Sequence, residues 1–166
     1  TYVPNDNFEQ ALIDLGYDDI LDNYVFTENI SGVTELEVQE KGINDLTGIE
    51  DFTGLTFLNC GFNQLTALDV SNNTELTNLY CQVNQLTSLD LSNNLALTLL
   101  VCNDNQLAVL DVSSNSNLSY LNVDNNQLAA LDVTNNLALT SLFCNSNQLT
   151  SLDVTNNTSL NVLYCY

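Results

Sequence analysis

The stretch LTFLNCGFNQLTALDVSNNTE, which runs from Leu55 to Glu75, decides the fold because the chain repeats it every 21 residues. Four further copies and a last, incomplete one begin at equal intervals, at Leu76, Leu97, Leu118, Leu139 and Leu160. The leucines of one copy form an apolar side that a single copy cannot bury. Successive copies must therefore stack on one another, and the sequence predicts an elongated solenoid with a repeated surface.

Each copy consists of two similar halves, a first half of the form LTxLxCxxNQ and a second half of the form LTxLDVSxNxx. Both halves carry leucine at their first and fourth positions, an apolar residue at the sixth and asparagine at the ninth. This spacing is typical of leucine-rich repeats. Because the halves are alike, we expect two short strands in each coil, paired in parallel with those of the neighbouring coils.

The predicted fold class is a repeat solenoid of the α/β type that is mostly β. It is a right-handed leucine-rich-repeat coil with one or more parallel β-sheets and a short N-terminal helical cap. Residues 1–32 do not repeat and are expected to form the cap, which covers the exposed core at one end of the solenoid. A helix is expected over Asn5–Leu15, because Phe8, Leu12 and Leu15 share one face and Gly16 can end it.

The first repeat, residues 33–54, differs from the others and reads VTELEVQEKGINDLTGIEDFTG, with a length of 22 residues. It predicts a strand over Glu35–Val38 and a tight helical turn near Leu46–Phe52. This unit resembles the internalin type of bacterial leucine-rich repeat.

Residues 55–166 form five 21-residue repeats and a truncated sixth. They resemble the irregular bacterial repeat known as IRREKO, whose pattern is LxxLxCxxNxLxxLDLxxNxx. Together with the segment YVPNDNFEQALIDLGYDDILDNY, the chain resembles secreted surface proteins of flavobacteria. The resemblance implies an extracellular or cell-surface location. We also expect further repeats or a partner to cover the C-terminal end, because the last copy stops with apolar residues in an uncapped coil.

The cysteines and asparagines recur in columns. The cysteines lie at the sixth position of the first half, where Val123 takes the place of one, at Cys60, Cys81, Cys102, Cys144 and Cys165. An odd number and side chains that point in parallel favour reduced, buried thiols over disulfides. The asparagines at the ninth positions are expected to satisfy backbone groups of the next coil at the turns.

The charge of the chain is strongly one-sided, with 21 acidic residues, one basic residue (Lys41), no histidine and a net charge of −20. Nucleic acids and anionic membrane surfaces require Lys and Arg, so we expect neither as a partner. The sequence also lacks a glycine-rich phosphate loop and a serine elbow. It therefore predicts a protein that is not an enzyme.

The two halves differ in how far their outward residues vary. Those of the second half are nearly constant, whereas those of the first half change freely and include exposed aromatic and aliphatic side chains. Such variation marks positions that the fold does not dictate, and a contiguous apolar patch suggests a contact surface. The predicted ligand-binding face consists of Phe57, Phe62, Tyr80, Val83, Leu99, Val101, Tyr120, Phe143 and Tyr164. The alternative is that these side chains merely shield neighbouring strands as cross-strand pairs.

Two groups of carboxylates are candidates for a metal site, because calcium prefers oxygen ligands. One is an acidic cluster in the cap, formed by Asp18, Asp19 and Asp22. The other is the column at the fifth position of the second half, formed by Asp69, Asp90, Asp111, Asp132 and Asp153. Neither matches a recognised calcium-loop spacing, so no cofactor is expected and calcium is left as the alternative.

The leading functional interpretation is an extracellular or cell-surface recognition module that binds a protein or glycan on the variable strand face. One alternative is a structural spacer or adhesin stalk. Another is a carbohydrate-binding appendage of a larger secreted enzyme.

Overall fold

The computed structural model describes all residues, 1–166, as one parallel β solenoid in which each coil contributes one strand. The strands are three residues long: β1 Glu35–Glu37, β2 Phe57–Asn59, β3 Asn78–Tyr80, β4 Leu99–Val101, β5 Tyr120–Asn122, β6 Ser141–Phe143 and β7 Val162–Tyr164. They pair in chain order and in register, so that equivalent positions of successive repeats lie side by side. This confirms the predicted fold class.

One strand per coil corrects the expectation of two. The second half of each coil follows an extended path but pairs with no neighbour in a β ladder. The backbone donors of its turn are used within the coil instead. The N–H of Ser71 donates to Asp69 Oδ1 at 2.9 Å, and the N–H of Asn73 donates to the carbonyl of Val70 at 3.0 Å. Because these groups turn back on their own coil, they are not available to a neighbouring strand.

The cap contains two helices, α1 over Asp6–Asp14 and α2 over Thr27–Ile30. Asn5 is the N-cap of α1, and its side chain accepts a hydrogen bond from the N–H of Phe8 at 2.9 Å. Gly16 follows the helix with a φ of 81°, in the left-handed region that glycine adopts without strain. Phe8 and Leu12 are buried as expected, but Leu15 is exposed, because the helix ends before it and the chain turns away.

The first repeat joins the cap to the regular coils. Its strand β1 ends one residue before the predicted boundary, and its helical turn is a short 3-10 helix over Ile49–Asp51. Gly48, just before that helix, has a φ of 106°, and a Cβ there would lie 2.9 Å from the carbonyl oxygen of Tyr2. The close approach fixes the cap against the first coil and leaves no room for a side chain.

The asparagine columns hold the turns, but they bond to the preceding coil and to their own coil, not to the next one as expected. In the first half, Asn84 Nδ2 donates to the carbonyls of Cys60 and Cys81, both at 3.1 Å. Its Oδ1 accepts from the N–H of Leu65 at 2.9 Å. In the second half, Asn94 Nδ2 donates to the carbonyls of Val70 and Asn73 at 3.0 and 2.9 Å.

The hydrophobic core runs without interruption from Val3 in the cap to Cys144 in the fifth regular repeat. Four cysteines of the column are buried and free, and burial raises the pKa of the Cys60 and Cys102 thiols to about 12. Cys165 is also free but is exposed, contrary to the expectation that all five are buried.

Candidate functional site

The outward face of the sheet is built by the first and third residues of each strand. The middle residue of every triplet is a leucine that points into the solenoid and is buried in β1 to β6, whereas the flanking residues of β2 to β6 are half-buried. This alternation follows from the pleat of a strand. In-register pairing then sorts the outward side chains into two columns, one from the first and one from the third positions.

Aromatic rings follow this face from strand to strand, in two diagonal pairs and one pair directly across the strands. The ring centroids of Phe57 and Tyr80 are 5.4 Å apart, and those of Tyr120 and Phe143 are also 5.4 Å apart. Phe143 stacks on Tyr164 with a centroid distance of 5.3 Å and an interplanar angle of 7°. These distances are in the range of favourable aromatic pairs. We call these five residues the aromatic band.

Leu99 and Val101 fill the gap between the two parts of the aromatic band. They are the outward residues of β4, which lies between the strands of Tyr80 and Tyr120. The structure therefore brings seven of the nine predicted face residues onto one continuous sheet surface. The rings of the aromatic band also contact one another. The same side chains can therefore shield neighbouring strands and contact a ligand.

The remaining two predicted residues, Phe62 and Val83, lie on the turns that follow β2 and β3 and not on the sheet itself. Both are exposed, and both have a positive φ, 56° and 53°. This region is unusual for bulky residues and especially for a β-branched one such as Val83. It recurs at the same position of every coil, where Glu40, Asp104, Asn125 and Ser146 have φ values of 52–58°.

Inter-coil hydrogen bonds hold this left-handed column in place. The N–H of Val83 donates to the carbonyl of Asn103 at 3.0 Å, and the N–H of Phe62 donates to the carbonyl of Gln82 at 2.9 Å. Unfavourable backbone conformations persist where the surrounding structure enforces them and are frequent near binding sites. The turns thus form a rigid rim along the carboxyl ends of the strands.

Two acidic residues stand on this rim, on neighbouring coils, and were not among the predicted face residues. Asp104 is exposed and Asp124 is half-buried, and the N–H of Asp104 donates to the carbonyl of Asp124 at 3.0 Å. Burial raises the pKa of the Tyr120 phenol, and the neighbouring Tyr80 and Asp124 add to the rise. The seventh and eighth positions of the first half vary as freely as the strand residues, which is the signal that could have included them.

The face carries no positive charge. Lys41 is the single basic side chain of the protein, and its Nζ lies 3.6 Å from Asp14 Oδ2, at the cap. Carboxylates therefore dominate the potential around the aromatic band.

A column of hydroxyls under the sheet was not recognised from the sequence. At the second position of each first half, Thr or Ser donates to the backbone carbonyl of the equivalent residue one coil earlier. The hydroxyl of Thr98, for example, lies 3.1 Å from the carbonyl oxygen of Thr77. The same bond is made by Thr56, Thr77, Ser119 and Thr140. The signal was present, because this position is Thr or Ser in the first half of all five complete repeats but is alanine in two of their second halves.

The aspartate column lies in the second half, away from the aromatic band. Each member accepts a hydrogen bond from the backbone N–H two residues later, at 2.9 Å in all five coils. These bonds, together with the hydroxyl of the same Ser or Thr, lower the pKa of each carboxyl, while burial opposes the shift. The column thus has a structural partner in every coil.

The cap cluster of Asp18, Asp19 and Asp22 lies beside a buried carboxylate that the sequence did not reveal. Glu9 is fully buried, and its Oε1 accepts from the N–H groups of Asp22 and Tyr24 at 2.9 and 3.0 Å. No three or more His, Cys, Asp or Glu side chains meet in an arrangement that could hold a metal ion, in the cap or in the aspartate column. Calcium binding stays a prediction to be tested by titration.

Comparison with known proteins relates the chain to internalins of Listeria monocytogenes. No protein-family model matches it. Over 73 residues, or 44% of this chain, the sequence is 41% identical to internalin J of L. monocytogenes serotype 4b (strain F2365). The matched chain spans 8% of the length of that protein.

Solved structures extend the similarity to nearly the whole chain. The functional domain of internalin J, described as including a cysteine ladder, matches with a TM-score of 0.90 and 41% identity over 96% of this chain and 36% of that one. Internalin F of L. monocytogenes matches with a TM-score of 0.75 and 26% identity, over 99% of this chain and 57% of that one. A leucine-rich-repeat protein of Leptospira interrogans, at 20% identity, shares the fold, with a TM-score of 0.76 over 82% of this chain and 38% of that one. The chain therefore has an internalin-like leucine-rich-repeat fold.

Proposed function

We propose that this chain is a recognition module of an extracellular or cell-surface protein and binds a protein or glycan through the aromatic band. The observation that carries the proposal is the continuous aromatic and aliphatic surface on the freely varying half of an otherwise regular repeat. Outward, half-buried aromatic residues that vary from coil to coil are not needed to form the coil. Large, rigid rings supply contact energy at small cost in side-chain entropy, which suits an interface.

Two observations support a binding role over a catalytic one. The aromatic band has no histidine, lysine or arginine, the side chains that most often serve as general base or as a charged stabiliser of an oxyanion. The fold is also that of internalin J and internalin F. Because this chain spans a small part of internalin J, the ligand, the surface location and the role of the whole protein are proposals. The same holds for the similarity to flavobacterial surface proteins and for the irregular repeat type.

A structural spacer is the second candidate, and the regular bonding of the coils favours it. Hydroxyl and asparagine columns repeat along the axis with nearly constant geometry, as a rod that presents other domains requires.

No helix in the structure has the length and apolar character needed to cross a membrane.

The test is binding of the purified chain to arrays of glycans and of cell-surface proteins. The wild type is compared with the double variant Tyr80→Ala/Tyr120→Ala and with the control Val109→Ala/Leu137→Ala. The control removes two exposed apolar side chains from the second half of the coil. We expect the tyrosine variant to bind a ligand of the wild type about tenfold or more weakly, and the control to bind normally. A spacer would capture no ligand on either array, and an unaffected tyrosine variant would contradict the proposed site.

A further inference from the structure

We propose that the ligand of the aromatic band is a cationic segment of a partner protein, whose arginine or lysine head groups lie against Asp104 and Asp124 while their stems cross Tyr80 and Tyr120. The inference rests on the proposed function and names the chemistry of the ligand at that site. It follows from the position of the two carboxylates, from the bonds they already make, and from the charge of the molecule.

The two carboxylates lie at the end of the strands that carry the middle of the aromatic band. Asp124 follows β5, the strand of Tyr120, and its N–H donates to Asn122 Oδ1 at 3.0 Å. Asp104 follows β4, whose Leu99 and Val101 separate Tyr80 from Tyr120. Residues 120–124 alternate between half-buried and buried, so Asp124 follows Tyr120 and Asn122 on the outward side of β5. The N–H of Asp104 donates to the carbonyl of Asp124 at 3.0 Å, so the two carboxylates lie on neighbouring coils at this end of the aromatic band. Asp124 also adds to the rise in the pKa of the Tyr120 phenol.

The partners of these carboxylates are neutral. Asp104 accepts from the side-chain amides of Asn103 at 2.5 Å and Asn125 at 2.9 Å. Asp124 Oδ1 accepts from the N–H of Asn145 at 2.6 Å. Amides fix the orientation of a carboxylate but leave its charge in place, and each carboxylate oxygen can accept more than one hydrogen bond. The site therefore presents two oriented negative charges with free acceptor capacity.

Ligand classes differ in how they would meet this arrangement. An anionic ligand would be repelled by the net charge of −20. A neutral sugar could stack on the rings and its hydroxyls could donate to the carboxylates, but it would leave both negative charges uncompensated. A guanidinium or ammonium group provides charge-assisted hydrogen bonds to the carboxylates and a favourable contact with tyrosine faces. The observations therefore favour a cation.

The experiment measures fluorescence anisotropy of a dye-labelled peptide of four Arg-Gly repeats at an ionic strength of about 0.15 M, where long-range attraction is largely screened. A peptide with citrulline in place of arginine has nearly the same shape without charge, and neutral oligosaccharides serve as competitors. The variants are Asp104→Asn/Asp124→Asn and, as a control with the same change in net charge, Asp90→Asn/Asp111→Asn in the second half. Tyr80→Ala/Tyr120→Ala tests the face itself, and the single variant Asp104→Asn avoids Asp124, which bonds to the backbone.

We expect the Arg-Gly peptide to bind about tenfold more weakly to Asp104→Asn/Asp124→Asn and to Tyr80→Ala/Tyr120→Ala than to the wild type. Its affinity for the control variant Asp90→Asn/Asp111→Asn should stay within about twofold of that for the wild type. The single variant Asp104→Asn should show part of this loss of affinity, and its melting temperature should equal that of the wild type. Equal weakening by the two aspartate pairs would mean attraction to the overall charge and would overturn the inference, as would no binding of the Arg-Gly peptide to the wild type.

The two proposals fail in distinguishable ways. If the citrulline peptide or an oligosaccharide binds as tightly as the Arg-Gly peptide and depends on Tyr80 and Tyr120 but not on Asp104 and Asp124, the cation is wrong and the binding face stands. If no probe depends on Tyr80 and Tyr120, both proposals fail.

Discussion

The two halves of each coil start from nearly the same motif and become different structures. The first half pairs into a seven-stranded sheet, and the second half runs alongside it without a ladder. Both bury the leucines and the apolar residue of the motif. The comparison shows that apolar spacing determines which side chains face the core, whereas strand formation depends on where the backbone hydrogen bonds go. The outward residues of the first half are free to vary, whereas those of the second half build its turns.

Their asparagine columns sharpen this comparison. Asn84, in the first half, uses both its amide nitrogen and its Oδ1 in bonds to the backbone. Asn94, in the second half, is fully buried and donates to two carbonyls, but its Oδ1 has no partner within the protein. We have no physical account of that unpaired oxygen, which recurs at Asn73, Asn115, Asn136 and Asn157.

The largest effect is expected from removing an asparagine of the first half. Asn84→Ala leaves the N–H of Leu65 without a partner, at about 1–3 kcal/mol, and removes one of the two hydrogen bonds that the carbonyls of Cys60 and Cys81 each accept. We expect a loss of about 3 kcal/mol or more in the free energy of unfolding, measured by urea denaturation followed by circular dichroism. Asn94→Ala is the matched variant, and it should lose about 2 kcal/mol because it removes fewer bonds. The reverse order would show that the second half depends more on its turns than the first.

The sixth position provides a test of the core. Cys102→Ser places a hydroxyl in an apolar stack and should destabilise the chain by about 1–3 kcal/mol. Cys102→Val should have little effect, because valine already occupies this column at Val123 and the equivalent place of the second half at Val112. In thiol titration without reductant, the native chain should show rapid reaction of Cys165 alone, and the denatured chain should show all five thiols. Fewer than five after denaturation would indicate a disulfide.

The hydroxyl column should distinguish the halves at their second position. Thr98→Ala removes a bond to the carbonyl of Thr77 and should cost about 1 kcal/mol in the free energy of unfolding. Thr87→Ala, at the equivalent exposed position of the second half, should change stability by less than about 0.5 kcal/mol. Equal effects of the two substitutions would mean that intrinsic propensity, and not the inter-coil bond, explains the threonine.

A smaller, pH-dependent effect is expected at the fifth position. The hydroxyl and N–H of Ser113 lower the pKa of Asp111 in the folded chain, so its stabilising contribution is complete above the unfolded pKa of about 3.9. It is lost as the pH falls through the lower folded pKa. The melting temperature of Asp111→Ala should therefore lie below that of the wild type at neutral pH, and the two melting temperatures should converge under acid conditions. Asn122→Ala removes an uncharged turn acceptor of the first half. The difference between its melting temperature and that of the wild type should not change over the pH range in which Asp111 titrates.

The smallest effect is expected from calcium. Added NaCl should raise the melting temperature because it screens the repulsion among the acidic groups. CaCl₂ at matched ionic strength should add no saturable increment at the aspartate column, whose members already have partners in every coil. A calcium increment lost in Asp90→Asn/Asp111→Asn but kept in Asp18→Asn would contradict this expectation. An increment lost in Asp18→Asn would instead assign calcium to the cap cluster, a separate proposal that EDTA reversal would test.

The solenoid, its period, most of the buried positions and the helix of the cap could be predicted from the sequence alone. All of these follow from local rules: the spacing of apolar residues, the N-cap at Asn5 and the glycine at Gly16. The sequence also placed the variable residues Tyr80, Tyr120 and Phe143 on one surface, because a fixed period puts equivalent positions side by side. The division of the chain after residues 32 and 54, and the binding role of the surface, stay predictions.

The tertiary structure decided what depends on neighbours in space. Similar motifs predicted two strands per coil, but only the first half pairs in a ladder, and in the second half the N–H of Ser71 donates to Asp69 of its own coil. The asparagines bond backward to carbonyls of the preceding coil, which accept this bond in addition to one from another group. The diagonal contacts of the rings depend on side-chain direction across neighbouring strands, which a repeat pattern does not specify.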